Sequence, residues 1–73
     1  MAKDFWAGPH ERGWQVKGAG NSRATSVHET QAQAWAAARG HARNNAGEAY
    51  LQGRGGQIRE RNTYGHDPES TPG

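Results

Sequence analysis

Four histidines, His10, His28, His41 and His66, are the side chains best suited to hold a metal or move a proton. A zinc site announces itself by ligands repeated at short fixed spacing, two histidines one helical turn apart or paired cysteines. No two of these histidines stand four residues apart, and the chain has no cysteine. They read as surface residues, and no metal or other cofactor is expected. Ser22, Ser26 and Thr30 lie close to His28 in sequence. A hydroxyl nucleophile, however, needs a base at its oxygen and a third group that orients the base. The acidic residues are scattered, so the expectation is a protein that is not an enzyme. "GAGNSR", from Gly18 to Arg23, lacks the lysine of a phosphate loop and does not open directly into a helix, so it reads as a turn. "GRGG", Gly53–Gly56, matches one unit of an RNA-binding arginine-glycine repeat, but a single copy between two strands reads as a hairpin turn.

Basic and aromatic residues in alternation make the stronger case. Net charge is +2, and seven of the nine basic residues are arginine. Five arginines fall between Arg39 and Arg61 against only Glu48 and Glu60, while Asp67 and Glu69 follow them. Successive side chains of a strand point to opposite faces. If Trp14, Val16, Ala49, Leu51 and Ile58 point inward, then Gln15, Lys17, Tyr50, Gln52, Arg59 and Arg61 share the outward face. Lysine and arginine neutralise phosphates, and a tyrosine ring stacks on a base. Lys17, Tyr50, Gln52, Arg59 and Arg61 are therefore the candidate nucleic-acid-binding residues, for DNA or RNA. The bland reading is a solvated sheet face, which alternates polar residues anyway and pairs opposite charges across strands. The alternative function is a protein-interaction or self-assembly module, such as a homodimer, that uses this face or an edge strand.

Those side chains need a sheet to hold them. Seventy-three residues, of which 32% are hydrophobic, allow one domain with a small core. "DFWAG", "PHERG" and "WQVKG" read as strand, turn, strand, and "RATSVHE" as a short third strand. "TQAQAWAAARGHA" commits to a helix. Thr30 is its N-cap, and Gln33, three residues on, completes a capping box. Seven alanines between Ala32 and Ala46 favour helix. Ala34, Trp35, Ala38 and Ala42 make one stripe that should lie on the sheet, with Trp35 as the central core residue and Val27 packing back on the first turn. Asn44, Asn45 and Gly47 stop the helix. "GEAYLQGRGGQIRERN" gives two more strands about the glycine-rich turn. The expected fold is α+β, a single antiparallel sheet with one helix on one face in the order β-β-β-α-β-β. Residues 1–64 should form the domain and 65–73 a flexible tail. The opening "MAKDFW" lacks the apolar run of a signal peptide, and no segment approaches the ~18 apolar residues of a membrane span. A cytoplasmic protein with no membrane association is the expectation.

"GWQVK" after a short strand, "SVHETQAQAWAAARGHARN" through the helix and "GRGGQIRERNTYGHDP" after it together resemble a small bacterial family, domain of unknown function 2188. The resemblance spans about residues 5 to 68, and its most specific part is Tyr64, Gly65, Asp67 and Pro68. It implies one compact α+β domain, with Tyr64 folded back against it, and brings no established activity. Trp35 and His41 depart from the pattern, where the family helix tends to carry aliphatic residues. Residues 13 to 43 are also similar to the N-terminal arm-binding domains of phage-type integrases, which would imply DNA contact through a three-stranded sheet backed by a helix.

Overall fold

The computed structural model describes residues 3–20 and 23–64. The expected tail at 65–73, with His66 and the last residues of the family motif, lies outside them. The order of elements is as expected. β1 (Phe5–His10) and β2 (Gly13–Gly18) form a hairpin, and β3 (Ser26–His28) pairs with β2. α1 (Gln31–Asn44) follows, and then the hairpin of β4 (Glu48–Gln52) and β5 (Ile58–Thr63).

One expectation fails at the level of topology. The strands form a single five-stranded sheet in the order β3-β2-β1-β4-β5, and β1 and β4 run parallel within it, so the sheet is mixed and not purely antiparallel. The reason lies in what the helix does to the chain direction. β3 runs antiparallel to β2, and therefore in the same direction as β1. A helix of 14 residues spans ~21 Å, enough to carry the chain back along the whole length of a strand. β4 then starts from the same end as β1 and pairs beside it, as strands joined by a helical crossover do. Pro9 occurs in this central strand only past the last β1–β4 register pair, Ala7 with Leu51, where β4 no longer runs alongside.

α1 packs on β1, β2 and β4. Its Ala34, Ala38 and Ala42 are fully buried, and methyl groups at the contact let helix and sheet approach closely. Phe5, Ala7, Trp14, Val16, Ala49 and Leu51 complete the core from the sheet side. The helix entrance follows its sequence. The Gln33 N–H donates to Thr30 Oγ1 at 3.1 Å, and Gln33 Oε1 accepts from the N–H of Glu29 at 3.2 Å. The exit is a double hydrogen-bonded closure. The Gly47 N–H reaches Ala42 O, the Ala46 N–H reaches Arg43 O, and Ala46 between them sits at φ 54°.

Three core expectations need correction. Trp35 is half-buried at the rim of the core, with the Arg39 guanidinium over its ring, and Trp14 is the tryptophan buried within the core. One residue off the alanine stripe turns a helical side chain by ~100°, which is enough to take Trp35 off the sheet. Val27 is 44% exposed and does not pack on the helix, because its register partner Gln15 lies on the opposite face of the sheet from buried Trp14 and Val16. Ile58, expected inward, is 50% exposed. A bulge causes that. Leu51 pairs with Glu60 but Gln52 pairs with Ile58, which leaves Arg59 as an extra residue. The inserted residue breaks the alternation and puts Ile58 on the face of Gln52. Tyr64 behaves as the family resemblance implies: it packs against the core, and its N–H bonds to Gly47 O.

Candidate functional site

The outward face of the sheet is built by register. Residues paired across strands share a face, and pairs on four neighbouring strands line up in one row. Arg61 on β5 pairs with Tyr50 on β4, Tyr50 with Trp6 on β1, and Trp6 with Lys17 on β2. Two aromatic rings thus stand between two cations. The Trp6 and Tyr50 rings stack with centroids 5.0 Å apart and planes 18° apart. That separation is close to the ~4.8 Å spacing of neighbouring strands, so the rings stand side by side across the sheet. Tyr50 also donates its hydroxyl to Glu48 Oε1. This bond, followed by partial burial, raises the Tyr50 pKa above its ordinary 10.0, while Arg61 acts in the opposite direction. At neutral pH Tyr50 is therefore a neutral ring with its hydroxyl engaged.

A second row runs beside the first. Val27 on β3 pairs with Gln15 on β2, Gln15 with Gly8 on β1, and Gln52 on β4 with Ile58 on β5. Gly8 leaves a gap in this row. Trp6, Gly8, Gln15, Lys17 and Gln52 line a hollow of about 250 Å³ there. Gln52 leans over it: a Cβ placed on Gly8 would meet Gln52 Oε1 at 2.6 Å. The Gln15 amide donates to Pro9 O at 3.4 Å, and the Gln52 amide to Gly56 O at 3.5 Å. Both are long bonds, readily exchanged for a better partner.

Of the residues singled out in the sequence, Lys17, Tyr50, Gln52 and Arg61 come together on this face, with Gln15 beside them. Arg59 does not join the row. It is the extra residue of the bulge, and its side-chain carbons lie beside Gly53. Trp6 and Gly8 escape the sequence reading. The clue to Trp6 is present in "DFWAG", since Phe5 and Trp6 must take opposite faces of one strand. Which of the two is buried depends on the helix above Phe5, where His41 stacks on the Phe5 ring at 5.1 Å. The remaining described histidines are dispersed. His10 Nδ1 accepts the Arg12 N–H at 3.0 Å, and His28 Nε2 lies 2.8 Å from Ser26 Oγ on the short edge strand. Among the described residues no group of three histidine, aspartate or glutamate side chains is placed to share a metal ion. Among them, too, no helix is long and apolar enough to cross a membrane.

Residues 6–64 match the model of the family described as "Uncharacterized protein conserved in bacteria (DUF2188)". The chain belongs to this family. The match runs from Trp6, the first aromatic of the row, to Tyr64, so it takes in both rows of the sheet face as well as the helix. No curated protein and no solved structure matches the chain.

Proposed function

We propose that this DUF2188 domain is a small non-catalytic module that binds single-stranded nucleic acid across the outward face of its sheet. The observation that carries this reading is the row Arg61–Tyr50–Trp6–Lys17. Every base has a flat π face, so a stack on aromatic side chains holds any sequence, while the flanking cations neutralise phosphates. A strand laid along the row meets both chemistries at once. Duplex DNA suits the face less well, because its bases are already stacked on each other. The binding residues are Lys17, Tyr50, Gln52 and Arg61, joined by Trp6 and Gln15, with Arg59 at the margin as a general positive charge. Catalysis plays no part in this reading, since a shallow open face excludes little water.

A protein-interaction role is the competing reading, and the apolar side chains left outside favour it only weakly. Val27 and Ile58 lie on opposite edge strands, four strand spacings or roughly 19 Å apart, and form no continuous patch.

The test is binding of labelled single strands and duplexes at two salt concentrations. Wild type should bind single strands, and more weakly as salt rises. Lys17→Ala with Arg61→Ala should flatten the dependence of log K on log salt by about two. Trp6→Leu should weaken binding with an unchanged salt slope, because a ring and not a charge is removed. Absence of single-strand binding by wild type at low salt would put the protein-interaction reading in front.

A further inference from the structure

The hollow beside the aromatic row has a composition that the row alone does not explain. Its floor is Gly8, the residue whose missing side chain opens it, and one wall is Trp6. One face of the indole is taken by Tyr50, and the ring borders the hollow as well. The other walls include two primary amides, Gln15 and Gln52, from the strands on either side of Gly8, and Lys17. Each amide carries a donor and an acceptor side by side. A planar ring that entered the hollow would lie against the Trp6 side chain and would meet an amide at its edge.

We infer that this hollow is a nucleobase pocket with a preference for adenine. Two glutamine amides can match both edges of adenine, where the N6 amino group lies between the acceptors N7 and N1, whereas a pyrimidine offers one such donor–acceptor pair and the N7 edge of guanine offers two acceptors. Lys17, register neighbour of Trp6, stands where it can reach the phosphate of the inserted nucleotide. The inference rests on the single-strand reading of the same face and adds base selection to it. Non-specific affinity comes from the row, and discrimination from Gly8, Gln15 and Gln52.

The experiment compares short oligodeoxyadenylate, oligodeoxythymidylate and oligodeoxycytidylate of equal length against wild type, Gly8→Val and Gln52→Leu. Gly8→Val fills the hollow. It is expected to fold, because valine suits a strand and the atom its Cβ meets is the movable end of Gln52. Thermal melts of both variants check this directly. Wild type should bind oligodeoxyadenylate about tenfold more tightly than the pyrimidine strands, the discrimination that one good bidentate pair gives. Both variants should lose the preference, and Gly8→Val, which removes no side chain of the row, should keep the salt-dependent binding common to all three strands. If wild type binds the three strands equally, or the variants keep the preference, the pocket is refuted and the row stands. If wild type binds none of them, the pocket and the single-strand reading fall together.

Discussion

Ala46 occupies a backbone conformation that an L side chain rarely takes, with φ at 54°, at the position where helices commonly place glycine. The left-handed conformation costs a non-glycine residue roughly 1–2 kcal/mol. Ala46→Gly should therefore raise stability by about 0.5–1 kcal/mol after the extra chain entropy of glycine is set against the relief, visible as a rise in the thermal midpoint. Its neighbour gives the opposite result. A Cβ on Gly47 would collide with the backbone carbonyl of Lys3, and Asp4 Oδ1 beside it accepts the Glu48 N–H at 2.9 Å. The Lys3 N–H and Asn45 O close the same junction. Gly47→Ala must push the first strand away from the helix exit, so it should lower the midpoint markedly. A silent Gly47→Ala would mean the junction is looser than its contacts indicate. Tyr50 supplies a residue-scale prediction in pH. Because its folded pKa is raised above 10.0, the unfolded chain releases that proton first as pH climbs. The stability linked to it is fully present below pH 10 and is lost above it. Glu48→Gln removes the carboxylate that is the main cause of the shift. The alkaline loss of stability, followed by denaturant titration across that range, should be shallower in this variant.

At the scale of elements, α1 is a lid whose tight fit comes from alanine. Ala38 is fully buried against the sheet. Ala38→Leu should cost about 1–3 kcal/mol by overpacking, although leucine is a good helix former. An unchanged melt would show that helix and sheet part easily. The two tryptophans of the hydrophobic side should separate as well. Loss of a buried tryptophan costs ~3–5 kcal/mol, and a core of this size supplies little more than that. Trp14→Ala should be largely unfolded at room temperature, whereas Trp35→Ala, at the rim, should keep a cooperative melt at a lower midpoint. Circular dichroism melts of the two side by side decide between Trp14 and Trp35 as the centre. β5 is held less firmly than the three central strands. It pairs only with β4 at the end of the sheet, and its residues are nearly all exposed. The bulge at Arg59 and the charges about it blunt an edge that could otherwise recruit another strand.

For the whole molecule the consequence of that edge is association state. Antiparallel pairing of two β5 strands that continues the sheet and centres on Glu60 or Arg61 sets glutamate against glutamate or arginine against arginine. Like charges directly opposite are destabilising. The expected outcome is a monomer by light scattering, and Arg59→Thr, Glu60→Thr and Arg61→Thr together should shift the chain toward larger species. A wild-type dimer that dissociates when β5 is altered would favour the self-assembly reading over the nucleic-acid one.

Much of this molecule is legible in local chemistry alone. The capped, alanine-rich helix at Thr30–Asn45, the strand of Trp14 and Val16, and the buried positions of Ala49 and Leu51 follow from periodicities of 3.6 and 2. The same alternation brings Lys17, Tyr50, Gln52 and Arg61 to one face. Other features depend on contacts between residues far apart in the chain. Whether Phe5 or Trp6 is buried is decided by the helix lying over β1. The parallel pairing of β1 with β4 is decided by where the crossover returns the chain. One bulged residue, Arg59, reverses Ile58 through a hydrogen-bond ladder with β4 that no short stretch of sequence encodes. The row Arg61–Tyr50–Trp6–Lys17 joins residues from four strands. Sequence alternation sets which side Lys17, Tyr50 and Arg61 point to, but only strand order and register, fixed by packing of the sheet against α1, make them neighbours of one another and of Trp6.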